Sequence, residues 1–162
     1  MSERAVTRWA RRVLPRRLGR RRSQPQKPAD GAAYRGDFAG QVQITYAPNP
    51  NGVADPGEIV WAWVPFEEDN SRGKDRPVLI LALHEADLLG LMLTSKDHDG
   101  RPDAESWFDV GAGAWDRQGR PSEVRLDRVL RLAPSAVRRE GATLDKARFD
   151  LVVAAFRAQI SR

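Results

Sequence analysis

Cysteine is absent from this 162-residue chain. That excludes a disulfide framework, a thiolate metal site and a cysteine nucleophile, and makes a reducing cytoplasm the expected compartment. Histidine is nearly absent too, with only His84 and His98; two imidazoles are too few for a histidine metal cage, and neither metal nor other cofactor is expected. Long apolar runs are missing. The longest, residues 78–83 and 88–93, fall far short of the ~20 residues that a membrane-spanning helix needs, so no transmembrane segment is expected. Arg11 and Arg12 have no uninterrupted apolar stretch behind them, and the N-terminus therefore does not read as a secretory or twin-arginine signal.

What is present fits one compact domain with a tail: 41% of residues are hydrophobic and 30% charged, enough to bury a core. The net charge of +5 hides an asymmetry. Residues 1–28 hold nine arginines and Lys27 against Glu3, a net of +9, whereas the rest of the chain has 17 basic and 21 acidic residues, a net of −4. A tail of this kind draws the chain toward nucleic acid or an anionic surface, while the folded part needs a local basic patch to hold phosphate. Val6, Trp9 and Val13 share one face of a basic amphipathic helix over residues 1–14, which Pro15 ends. From there to about residue 50 the chain is rich in Arg, Gln, Pro and Gly and reads as a solvated linker. Residues 1–50 are thus expected to be a basic extension and linker, and 51–162 the folded domain.

The domain opens with a strand over 57–64 in which Ile59, Trp61 and Trp63 alternate with Val60, Ala62 and Val64. A charged loop, 67–75, leads to Arg76, Pro77 and two short apolar runs, 78–83 and 88–94, best read as buried strands. A turn at 97–100, a strand over 106–110 and a further strand over 124–132 follow, the last slipping in its alternation around Asp127 and Arg128. A short helix is expected near 135–140. Thr143 is expected to cap a terminal helix whose apolar face is Phe149, Val152, Val153, Phe156 and Ile160. The fold class is mainly β with a C-terminal helix, an α+β arrangement built on a small barrel.

Pro56 to Trp61, the charged loop, Arg76-Pro77-Val78-Leu79-Ile80-Leu81, and Leu93-Thr94-Ser95, in this order, resemble the MazF/PemK toxins of type II toxin-antitoxin systems. The stretch from Val124 to Val129 is similar to that family's downstream strand, with Asp127-Arg128 where many members carry an acid-amide pair. The resemblance spans roughly 55–160 and implies an SH3-like, CcdB/PemK-like barrel. It also implies a homodimer, a cognate antitoxin partner, and metal-independent cleavage of single-stranded RNA, with Arg76 and Thr94 in the active site. Two other activities suit the same fold: a noncatalytic nucleic-acid- or protein-binding domain and a CcdB-like topoisomerase poison.

Cleavage through the ribose 2′-hydroxyl needs positive charge on the phosphorane oxygens, a proton acceptor and in-line geometry. A guanidinium matches two phosphate oxygens, so Arg76 suits the electrostatic part, and the following proline biases it toward an extended backbone. Arginine is a poor base, because its pKa of about 12.5 or higher keeps it protonated. Thr94 and Ser95 offer hydroxyls to phosphate, and Lys96 adds charge beside them. His98, between Asp97 and Asp99, reads as part of a turn rather than a metal site, though its imidazole can titrate usefully. Among the tryptophans, Trp115 in the 111–121 loop is the candidate for stacking on an RNA base.

Overall fold

The computed structural model describes residues 34–162, apart from the side chains of Arg139 and Glu140. The expected amphipathic helix over 1–14 and the first part of the linker lie outside the described residues. Within them, seven strands and one α-helix follow in order: β1 (Glu58–Pro65), β2 (Gly73–His84), β3 (Asp87–Thr94), β4 (Trp107–Gly111), β5 (Ser122–Arg125), β6 (Leu130–Leu132), β7 (Val137–Thr143) and α1 (Lys146–Ile160). All pairings are antiparallel, in the order β4-β5-β3-β2-β1-β7, with β6 also paired to β3. The mainly β fold with a C-terminal helix is as expected, although β4 and β7 do not pair, so the barrel is not closed. No described helix is long and apolar enough to cross a membrane.

Strands buried on both faces read as continuous apolar runs rather than alternations, and this explains β2 and β3. Leu79, Leu81, Leu91 and Leu93 face one core with Phe149, Val152, Val153 and Phe156 of α1. Val78, Ile80, Leu88 and Met92 face a second core with Val60, Ala62 and Val64 of β1. The hairpin is tight at Gly90, where a Cβ would lie 2.6 Å from Val78 Cγ1 and 2.7 Å from the Leu79 carbonyl oxygen. In α1 the four apolar positions spaced 3, 1 and 3 apart are buried as expected, each contributing roughly 2 kcal/mol of apolar transfer, but Ile160, the last residue of the helix, is 64% exposed.

Four local expectations are corrected. Residues 135–140 are not a helix; a single 3₁₀ turn, Pro134–Ala136, leads into β7, which pairs with the otherwise free edge of β1. Thr143 ends β7, and Asp145 caps α1, accepting the Arg148 backbone N–H at 3.0 Å. The strand expected over 124–132 is broken into β5 and β6, which pair with opposite ends of β3, and the slip at Asp127 and Arg128 marks the break. The segment 34–50, expected as part of a solvated linker, lies against the domain instead. Phe38 N–H donates to the Val129 carbonyl at 2.8 Å and Thr45 N–H to Leu81 at 3.0 Å. Val42, Ile44 and Tyr46 pack on the α1-side core.

Candidate functional site

Arg76 leaves β2 two residues before the Val78–Met92 pair, and Thr94 ends β3 two residues beyond it. Cross-strand neighbours in this position share a face, and the Arg76 guanidinium donates to Thr94 Oγ1 at 3.5 Å. Thr94 stands opposite Glu123 of β5, and Glu123 opposite Asp109 of β4. One row thus runs Arg76, Thr94, Glu123, Asp109 across four strands. Thr94 Oγ1 also accepts the Lys96 N–H at 3.2 Å. With both acceptor positions engaged, the hydroxyl proton remains for an incoming oxygen.

Arg76 is half-buried and, among the described residues, has no carboxylate partner. The neighbouring arginines are all paired. Arg125 binds Glu67 at 2.8 Å and Asp127 at 2.6 Å. Arg128, 5% exposed, binds Asp37 at 3.0 Å and donates to the Pro65 carbonyl at 2.9 Å. Asp75, the nearest acid in sequence to Arg76, is held by Arg138 at 3.0 Å, because successive strand residues point to opposite faces. Burial, and then the charge of Arg128, push the Arg76 pKa below that of a free guanidinium. For Arg125, burial acts in the same direction, but Asp127 and Glu67 outweigh it and raise the pKa. A half-buried cation without a counterion is a natural anion receptor.

Ser95 and Lys96 are exposed on the turn that follows β3. They line a shallow cavity of about 140 Å³ with Asp97, Asp99, Asp109 and Glu123. Its acidic wall disfavours phosphate on that side and leaves the Arg76 side for an anion. The carboxylates of Asp97, Asp99 and Glu123 gather within 4.8 Å. Asp97 already accepts the Asp99 N–H at 2.8 Å, and Glu123 accepts the His98 N–H at 3.2 Å, so the group closes a turn and carries no metal assignment.

Trp115 is withdrawn from the stacking role expected of it. It is 2% exposed within the α1-side core. Its Nε1–H donates to Ser122 Oγ at 3.1 Å, and its carbonyl accepts the Trp61 Nε1–H at 2.8 Å; a loop tryptophan with a polar handle satisfied inside is a core residue. His98 is also better anchored than a simple turn implies. It is 7% exposed, its Nδ1 lies 2.6 Å from Glu123 Oε2, and its ring stacks on Trp107 with centroids 3.8 Å apart. Nothing in the sequence singles out Glu123 or Arg125 as site residues, and Arg128 stands out there only at the slip of a strand. The one available signal was charge at alternate positions, Glu123 and Arg125, flanking the apolar Val124.

The family model for PemK-like, MazF-like toxins of type II toxin-antitoxin systems matches residues 55–160. That is most of the chain, and the protein belongs to this family. No curated protein sequence matches it. Among solved structures, the Mycobacterium tuberculosis toxin MazF-mt6 is similar at 16% identity and a TM-score of 0.46, over 64% of this chain and 96% of that one. The MazE-MazF structure from Deinococcus radiodurans is similar at 21% identity and a TM-score of 0.49, over 67% and 96%.

Proposed function

We propose that this toxin-family protein is a metal-independent endoribonuclease that cuts single-stranded RNA at the Arg76–Thr94 row. The observation that carries the proposal is the half-buried Arg76 guanidinium, free of any carboxylate among the described residues and set against Thr94 Oγ1. In this reading the guanidinium binds two oxygens of the scissile phosphate, and the Thr94 hydroxyl donates to one of them and fixes the in-line angle. The ribose 2′-oxygen loses its proton and bonds to phosphorus while the bond to the 5′-oxygen breaks. The products are a 2′,3′-cyclic phosphate and a 5′-hydroxyl. Arg76, made a better acid by burial and by Arg128, gives a proton to the leaving 5′-oxygen and regains it from water. Ser95 and Lys96 assist binding from their exposed turn, Lys96 supplying the one cation among the residues that line the otherwise acidic cavity.

The partners follow from the same reading: single-stranded RNA as substrate, a cognate antitoxin that occludes the groove, and a second copy of the chain in a homodimer. Membership in a family of toxins of type II toxin-antitoxin systems supports an antitoxin partner. Incubation with matched RNA and DNA single strands in EDTA tests the activity. RNA cut to 2′,3′-cyclic or 3′-phosphate ends, with DNA untouched, is the expected result, because DNA lacks the attacking hydroxyl. Intact RNA, or equal cutting of DNA, overturns the proposal.

A further inference from the structure

The proposed reaction needs an acceptor for the 2′ proton. Neither Arg76, a cation, nor Thr94, whose oxygen already accepts two hydrogen bonds, is suited to that task. One strand beyond Thr94, about 5 Å away by sheet spacing, stands Glu123. Its carboxylate accepts the His98 backbone N–H at 3.2–3.3 Å and faces the imidazole Nδ1 at 2.6 Å. The ring is further locked by stacking on Trp107, with centroids 3.8 Å apart and planes 8° from parallel, and Trp107 is itself tied to Asp103 at 3.1 Å. Trp107 lies opposite Arg125, the next residue of β5 on the same face as Glu123.

A carboxylate on Nδ1 fixes the tautomer with the proton on Nδ1, leaving the Nε2 lone pair as the acceptor. Nε2 makes no hydrogen bond among the described residues. The electrostatics divide the row accordingly. The cationic Arg76 end suits the phosphate, while around Glu123 the carboxylates of Asp97, Asp99 and Asp109, with Asp103 beyond Trp107, outnumber the cations Lys96 and Arg101 and favour a group that gains positive charge. Arg125, the cation nearest on β5, is neutralised by Glu67 and Asp127.

We propose that His98 is the general base of this site, taking the 2′-hydroxyl proton on Nε2, and that Glu123 is its positioning residue. This rests on the endoribonuclease reading above. The proton passes from the 2′-oxygen to Nε2 as that oxygen bonds to phosphorus, and the imidazolium later returns it to water. The ring is pinned to Glu123 and Trp107 rather than left swinging on a turn, so it needs no ordering when RNA binds.

The test is single-turnover cleavage of one single-stranded RNA by the full-length protein in EDTA, with Arg76→Ala as the reference for loss of the phosphate-binding cation. His98→Gln is expected to slow cleavage by about 10²- to 10⁴-fold. His98→Ala is expected to recover part of the rate with added imidazole, which fits the space left on Trp107. Glu123→Gln lowers kcat with KM little changed. A His98→Gln protein that cuts at the wild-type rate overturns the proposal while leaving the nuclease reading standing, as does loss of activity in Glu123→Gln but not in His98→Gln. Wild type that cuts no RNA ends both. Ring-nitrogen NMR of the wild type covers the case of variants that fail to fold: a proton on Nδ1 is expected, and a proton held on Nε2 overturns the assignment.

Discussion

At the scale of single residues, the site turns on which charges are satisfied. Among the described arginines of this rim, Arg125, Arg128 and Arg138 each have a carboxylate within 3.0 Å, and Arg76 has none. Thr94 matters through one hydroxyl. Thr94→Val is expected to lower kcat by about 10- to 100-fold, the loss of a hydrogen bond to a charged group, whereas Thr94→Ser stays within about threefold; equal loss in both variants contradicts the hydroxyl's role. Arg76 and Thr94 were legible in the sequence only through the ordered resemblance, because an arginine before a strand proline is ordinarily a solvated residue. His98 and Glu123 were not legible as a pair, since 25 positions separate them and only the β3–β5 register brings them together. Trp115 misled because aromatic residues in glycine-rich loops are commonly exposed, and nothing local shows that this loop folds back onto α1.

At the scale of elements, the strands were legible where both faces are apolar and lost where pairing comes from afar. β2 and β3 followed from composition alone, yet β7 carries Arg138, Arg139 and Glu140 and exists because the edge of β1 was free. The break between β5 and β6 positions Arg128, whose guanidinium ties the segment at Asp37 to the end of β1 at Pro65. Arg128→Met leaves the Pro65 carbonyl without its Arg128 donor and the Asp37 carboxylate with only the Tyr34 hydroxyl, and is expected to cost about 2 kcal/mol in urea unfolding; unchanged stability contradicts this tie. At the start of α1, the Arg148 side chain and backbone N–H hold the Asp145 carboxyl below the usual carboxylate range. A depressed pKa means stabilisation that is complete above the unfolded value and lost as pH falls through the folded one. The melting temperature is therefore expected to hold from neutrality down to the carboxylate range and then fall, with a weaker fall in Asp145→Asn. An identical acid limb in both proteins contradicts this assignment.

At the scale of the whole molecule, charge is partitioned between a strongly basic N-terminal stretch and a net acidic remainder. In the proposed reading, a domain of that sign attracts RNA weakly except at its Arg76 rim, and long-range attraction falls to the basic N-terminal stretch. If all ten positive charges of residues 1–28 met single-stranded phosphates, the log-log salt slope of RNA binding would approach about −7. Deleting those residues is expected to flatten that slope and to leave the cleavage ends unchanged; an unaltered slope removes the tail from RNA binding. The proposed site centres on an uncompensated arginine set against a hydroxyl at the end of β3. The most direct measurement compares wild type, Arg76→Ala and Arg76→Lys, all verified as folded, on one long single-stranded RNA in EDTA. This site assignment predicts cleavage by the wild type, a loss of about 10²- to 10³-fold in Arg76→Ala, and an intermediate rate in Arg76→Lys, which keeps the charge but not the two-pronged geometry. Folded Arg76→Ala cutting at the wild-type rate contradicts it.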